Sequence, residues 1–124
     1  MQIKGDIIRA KLIDFAVTVS EIGESLGNSD FGNILRNQMI RSSISASLNQ
    51  GEAQSASSPR ELVYKLKLVL KEVRETRNAL EIINKKNIIA GDTRISTSLQ
   101  DADELCAMLY SSIRTAMKSS QSRQ

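Results

Sequence analysis

The sequence predicts an all-α protein, a single up-down-up-down antiparallel four-helix bundle occupying residues 1–124. Three observations lead there. Apolar residues recur at spacings of three and four through separate stretches, the period of a helix that buries one face. Short breaks rich in Gly, Ser, Asn or Pro divide the stretches, and short connections favour antiparallel neighbours. Aromatic residues are only 3% of the chain while hydrophobic residues are 40%, so aliphatic side chains must build the core. No strand-like alternation competes.

The first helix is expected over about 6–26. Ile8, Leu12, Phe15, Val19, Ile22 and Leu26 make one continuous stripe. Gly27-Asn28-Ser29-Asp30 ends it and caps the next helix. The second helix, about 31–54, has a weaker pattern. Phe31 and Leu35 open a stripe that continues through Gln38, Ser42, Ser45 and Asn49, while Ile34, Ile40, Ile44 and Leu48 point elsewhere around the wheel. A polar linker follows. The third helix, about 59–86, starts at Ser58-Pro59-Arg60-Glu61: an N-cap serine, a proline at the first helical position and a glutamate three residues after the cap. Leu62, Leu66, Val69, Val73, Thr76, Leu80 and Ile83 form its core stripe. Lys85 and Lys86 lie in its last turn, where the helix dipole favours cations. After a loop ending at Gly91, Asp92 caps a fourth helix over about 92–118. Its predicted stripe is Ile95, Leu99, Ala102, Cys106, Leu109, Ile113 and Met117.

Composition bounds the chemistry. A chain of 124 residues suits one domain and buries roughly two-thirds of its unfolded surface. There is no histidine, which removes the commonest metal ligand and the side chain best suited to proton transfer near neutral pH. No catalytic residue, metal ligand set or cofactor is expected. The single cysteine cannot form an internal disulfide, and a reducing compartment is the simplest context. No apolar run approaches the roughly 20 residues that span a bilayer. An acid falls too early, in Met1-Gln2-Ile3-Lys4-Gly5-Asp6, for a signal peptide. The expected setting is cytoplasmic, without membrane association.

The third helix carries the charge. Between 59 and 86 lie eight basic residues and four acids, a balance of +4 in a chain whose net charge is +3. At 100° per residue, Arg60, Lys67, Lys71 and Arg74 fall within about 60° of one another, opposite Leu66, Val69 and Val73. Such a ridge, roughly 20 Å long, can follow a phosphate backbone. It can equally be a solvated helix face, partly neutralised by pairs such as Lys71 with Glu75. The ridge is read as lacking an aromatic ring on which a base would stack, which counts against single-strand recognition. Arg77 joins it as a fifth candidate nucleic-acid contact.

Several residues lie off the predicted core. Val63 and Leu70 flank the ridge on one side, Leu68 and Ile82 on the other, and Ile40 and Ile44 are similarly placed on the second helix. Scattered exposed aliphatics are ordinary, but a second contiguous apolar surface points to self-association. The polar face of Gln38, Ser42, Ser45 and Asn49, if internal, needs partners from the third and fourth helices or a ligand. Glu72 and Glu75 share one side of a helix. Di-iron bundles pair a glutamate with a histidine at that spacing, so ion pairs within or between subunits are the expected use here. Cys106, in the predicted core stripe, reads as a buried, inert thiol.

The middle of the chain carries a family pattern. Gln38-Met39-Ile40-Arg41-Ser42-Ser43-Ile44-Ser45 leads to Asn49-Gln50-Gly51-Glu52-Ala53, then Ser58, Lys65 and Leu70-Lys71-Glu72-Val73-Arg74-Glu75-Thr76. This resembles the bacterial four-helix-bundle proteins also called the S23 or 23S rRNA intervening-sequence protein family. The resemblance covers most of the chain and is densest from Gln38 to Leu80. It departs from the family pattern at Asn78-Ala79 and at Leu48. It implies a non-catalytic antiparallel four-helix protomer that assembles into ring-shaped homopentamers. Related proteins accompany reverse transcriptases of diversity-generating retroelements and bind RNA or DNA through a basic surface. The family name reflects where some of its genes lie and says little about ribosome binding. Within such a ring, Arg41, Asn49, Glu52, Glu72 and Glu75, with Val63 and Leu70, become candidate interface residues.

Overall fold

A computed structural model describes residues 2–122, and side chains from Ile3 to Gln121. Four helices account for nearly all of them: α1 (Gln2–Glu24), α2 (Asp30–Gln54), α3 (Pro59–Lys86) and α4 (Thr93–Ser122). Each packs on its chain neighbours and α1 closes on α4, while among the described residues neither diagonal pair brings Cα atoms within 8 Å. Cross-helix bonds fix the directions. Gln50 of α2 reaches Gly5 of α1, Arg41 of α2 reaches Glu72 of α3, Arg77 of α3 reaches Asp103 of α4, and Lys11 of α1 reaches Glu104 of α4. Every adjacent pair is antiparallel, so the up-down-up-down bundle expected from the sequence is the fold observed.

The caps explain the boundaries. Gly27, at φ +77, turns the chain after α1 in the left-handed region that glycine enters without steric cost. Ser29 then accepts the Gly32 N–H at 3.0 Å as the N-cap of α2. Gly32 has no room for a side chain, since a Cβ would meet the Leu26 carbonyl oxygen at 3.0 Å. Arg36 ties this corner by donating to the Gly23 carbonyl at 2.8 Å and the Gly27 carbonyl at 2.5 Å. At α3, Ser58 accepts from the Glu61 N–H at 3.1 Å, and the Glu61 carboxylate reaches back to Ser57, accepting its N–H at 3.0 Å and its hydroxyl at 2.7 Å. The capping box therefore closes one residue earlier than its usual pattern. Those bonds hold the Glu61 carboxyl below the ordinary range. Asn87, at φ 57, ends α3. Asp92 caps α4 by accepting the Arg94 N–H at 3.0 Å, and the Arg94 guanidinium beside it pulls its carboxyl down as well.

The core is aliphatic, as composition demanded. Leu12, Val19, Ile22, Met39, Val69, Val73, Leu80, Ile83 and Leu109 are wholly buried, and Phe15 is its one buried aromatic ring among the described residues. The predicted α1 stripe is buried residue for residue; on α3 every predicted residue is buried except Leu62, which is half-buried, and Leu70, Glu72 and Ala79 are buried in addition.

Two stripes are corrected. On α2 the inward residues are Leu35, Met39, Ser42, Ser43, Ala46, Gln50 and Ala53, so the face is turned about 60° from the predicted one. Gln38 is exposed and Ser45 and Asn49 are only half-buried. Beyond Met39 the inward residues are mostly small or polar while Ile34, Ile44 and Leu48 stay exposed, so hydrophobicity gave no reliable phase for this helix. On α4 the face runs through Ile95, Ser98, Ala102, Leu105, Leu109, Ile113 and Ala116. Cys106 is half-buried at its edge and Met117 is exposed. Leu105 and Cys106 both satisfy the helical period, and the packed bundle buries the leucine. Leu70, expected off the core, is buried at 6% exposure because α3 is embraced by both α2 and α4 and buries about half its circumference.

Candidate nucleic-acid interface

The outer face of α3 is the one strongly cationic surface that the sequence singled out. Arg60, Lys67, Lys71 and Arg74 are all exposed. Arg60, Lys67 and Lys71 have no carboxylate within ion-pair distance among the described residues. The pairing of Lys71 with Glu75 does not form, since Glu75 accepts from Arg41 Nη2 at 2.5 Å instead. Pro59 opens the helix and the cap described above fixes its first turn, so the ridge rises from a rigid start.

Two aromatic rings belong to this surface, contrary to the reading that it had none. Tyr64 lies four residues after Arg60, about 40° round the helix and on the ridge itself, and it is 61% exposed. Applying the same angular test to Tyr64 as to the cations would have found it. Tyr110 comes from α4 and is 44% exposed, with the Arg74 guanidinium 5.0 Å from its ring centroid. That cation–π contact positions Arg74 toward the α3–α4 seam. No sequence signal linked Arg74 to a residue so far along the chain.

Arg77 does not join the ridge. It sits about 100° away from Arg60 toward α4. There its Nε donates to Asp103 Oδ1 at 2.5 Å and its Nη1 pairs with Glu81. Its charge is spent within the protomer, and the Asp103 hydrogen bond raises its pKa further.

The polar residues assigned to an assembly interface find partners inside one chain. Arg41 is clamped between Glu72 (3.1 Å) and Glu75 (2.5 Å). These carboxylates raise its pKa, Glu75 through its hydrogen bond and Glu72 through its charge. Lys65 holds Glu52 at 2.5 Å. Asn49 donates to the Ser45 carbonyl at 3.0 Å. Beneath the clamp, Ser42 and Thr76 share a buried hydrogen bond at 2.6 Å, and Thr76 also donates to the Glu72 carbonyl at 3.0 Å. The shared motif of α2 and α3 is thus a polar suture between two helices of the same protomer. Val63 is half-buried against the core, and Leu70 lies within it. Among the described residues no cluster of carboxylates and cysteine is placed to hold a metal ion, and no helix is long and apolar enough to cross a membrane.

The molecule is therefore an antiparallel four-helix bundle protein with an exposed basic-aromatic face. The family described as 23S rRNA-intervening sequence protein matches residues 6–111, and the chain belongs to that family. Its fold is shared by a protein of unknown function from the S23 ribosomal protein family of Bacteroides thetaiotaomicron VPI-5482, known from a 1.70 Å crystal structure. The two are 28% identical with a TM-score of 0.80, over 90% of this chain and 98% of that one. No protein of curated function matches.

Proposed function

We propose that this chain is a non-catalytic, homo-oligomeric accessory protein that binds nucleic acid through the outer face of α3. The observation that carries the reading is the ridge of Arg60, Lys67 and Lys71, exposed and free of ion pairs, with Tyr64 set among them. Cations of this kind neutralise phosphates, and an exposed ring adds sequence-tolerant stacking on unpaired bases, about 1–3 kcal/mol per base. The lack of histidine throughout the chain supports a binding role over a catalytic one. Exposed aliphatic residues support self-association: Ile3, Ile7, Ile13 and Val17 on the outside of α1, and Ile34, Ile44 and Leu48 on α2. A pentamer and a reverse-transcriptase partner follow from the family resemblance.

The test is fluorescence anisotropy with structured RNA, single-stranded RNA and duplex DNA across a salt series. Affinity should fall as salt rises, with a slope of about −2 to −4 if three or four phosphates are contacted. Lys67→Glu with Lys71→Glu should abolish binding, and Tyr64→Ala should weaken single-strand binding more than duplex binding. No binding even at low salt overturns the proposal. Native mass measurement tests the assembly, which a monomer at micromolar concentration would refute. The exposed aliphatics also favour a second reading: a protein scaffold, for instance for a reverse transcriptase, without direct nucleic-acid contact. Capture of a co-expressed reverse transcriptase by the Lys67→Glu/Lys71→Glu variant would favour it.

A further inference from the structure

The ridge of α3 has a second row of charge beside it, on α4. From Leu62 to Lys71 α3 carries no acid, and from Leu105 to Gln121 α4 carries none either. The two helices run antiparallel, with Arg74 against Tyr110 and Arg77 against Asp103. Stepping back along α3 from those contacts brings Arg114 level with Lys67, and Lys118 level with Tyr64, to within about one turn. Tyr110, Arg114 and Lys118 follow at four-residue intervals, each about 40° further round α4 toward solvent. Both cations are exposed. Neither has a carboxylate within ion-pair distance among the described residues.

Arg60, Lys67, Lys71 and Arg74 of α3 thus share one face with Arg114 and Lys118 of α4, on helix axes about 8–10 Å apart. The borders of this face carry the opposite sign. Toward α2, Arg41 is outnumbered by Glu72 and Glu75, and beyond Arg74, Arg77 is outnumbered by Glu81 and Asp103. Each border keeps a net negative charge that repels a phosphate, so a polyanion is confined to the face between them. The seam between the two rows is uncharged. Val63 is half-buried and Met117 is exposed, and both fall on the sides where α3 and α4 face each other. Tyr110 stands in the same seam, and Tyr64 borders the α3 row on its far side. From Tyr64 to Arg74, which touches Tyr110, is ten residues. That is about 15 Å of helix, or roughly four nucleotides of stacked strand at about 3.4 Å each.

We infer that this two-helix face binds single-stranded nucleic acid, with phosphates on both cation rows and a base on each of Tyr64 and Tyr110. The inference rests on the nucleic-acid reading above and narrows it to unpaired strands, because a ring stacks on a base only where the base face is open. Arg74, held against Tyr110 at 5.0 Å, adds a planar cation to that platform.

The test is fluorescence anisotropy of the full chain with a labelled mixed-sequence RNA of about 12 nucleotides, alone and annealed to its complement. The single strand should bind more tightly than the duplex, with a salt slope of about −4 for six phosphates. Arg114→Gln with Lys118→Gln should lower single-strand affinity roughly tenfold or more at low salt and flatten the slope by about 1.4. Tyr110→Ala should lower it about fivefold or more with the slope unchanged, and Tyr110→Phe should restore it. All three side chains are exposed, so far-UV circular dichroism should show the fold intact. Binding that is lost in Lys67→Glu/Lys71→Glu but unchanged in Arg114→Gln/Lys118→Gln and in Tyr110→Ala overturns the inference and leaves the α3 ridge standing alone as the interface. Duplex bound as tightly as the single strand, with Tyr110→Ala weakening neither, overturns the assignment to unpaired strands. No binding of either probe at low salt overturns both readings.

Discussion

Arg41→Met should destabilise the protein by about 2 kcal/mol, and the structure dictates the size of the loss. Arg41 bridges α2 to α3 through Glu72, whose side chain is 7% exposed, and Glu75, which is 38% exposed. An ion pair fully in solvent contributes about 0–1 kcal/mol, and stripping the partner from a fully buried one costs about 3–5 kcal/mol. This clamp lies between those limits, because Arg41 itself is 54% exposed while Glu72, the more buried of its two acceptors, is not. Removing the arginine leaves the Glu72 carboxylate facing the α2–α3 seam without its cation. Urea unfolding followed by far-UV circular dichroism should show the midpoint falling with little change in slope, and the melting temperature should drop by about 5–8 °C. Glu75→Gln should cost less than about 1 kcal/mol, since Glu75 is half-solvated. Glu72→Met should rescue Arg41→Met by about 1–1.5 kcal/mol, because removing both charges leaves no orphan. The loss should be the same at tenfold different protein concentrations, since the partners belong to one chain. Additivity of the two substitutions within about 0.5 kcal/mol, or a loss that depends on concentration, would refute the reasoning.

Further predictions concern the caps and the cysteine. Ser58→Ala removes the acceptor of the Glu61 N–H and should cost about 1 kcal/mol, read from the same urea transition, whereas Ser58→Asp should be close to neutral. Asp92 has its folded pKa below the ordinary value near 4. Its stabilising contribution is therefore complete above about pH 4 and is lost as pH falls through the lower folded value. Asp92→Asn keeps the cap oxygen but not the titration, so stability measured from pH 5 down to 2 should fall less steeply than in the unmodified protein, and an unchanged slope would refute the assignment. Half-burial raises the Cys106 thiol above its ordinary range, with Arg74 and Arg77 only partly opposing it. Alkylation by iodoacetamide at pH 8 should run at least roughly threefold slower than for a free thiol, and equal rates would count against burial as the controlling factor.

The way the suture and the ridge divide the charges of α3 bears on function. Of its eight basic residues, Lys65 and Arg77 are occupied by Glu52, Asp103 and Glu81 of the same protomer. The family motif around Lys71-Glu72-Val73-Arg74-Glu75 therefore mixes two jobs on alternate sides of one helix. Glu72 and Glu75 turn toward α2 and hold the bundle, while Lys71 faces solvent and Arg74 leans on Tyr110. A variant meant to probe binding should leave the carboxylates alone, since their loss destabilises the fold that presents the cations.

Helix number and order, and the ends that carry caps, were determined by the sequence itself, because they depend on local chemistry; the uncapped ends were not, since α1 begins at Gln2 and not near Asp6, and α4 runs to Ser122 and not to about 118. Ser58-Pro59 and Lys85-Lys86 bracket α3 at its observed limits, and Asp92 caps α4 one residue before it begins. The α1 stripe was equally legible, since its large aliphatics at the helical period fall on one dominant inward phase. Tertiary structure alone decided the phase of α2 and α4. On α2 the interior accepts Ser42, Ser43, Ala46 and Gln50 because Thr76 and Gly5 satisfy the polar groups nearest them and small side chains let the helices approach, while Ile34 and Leu48 stay outside. On α4, Leu105 and Cys106 are both compatible with the period, and the packing of the four helices chooses between them. The destination of each charge was likewise hidden. A helical wheel gives the angle of Arg77 or Arg41 but not the carboxylate waiting on the next helix, because those partners are brought together only when the four helices pack.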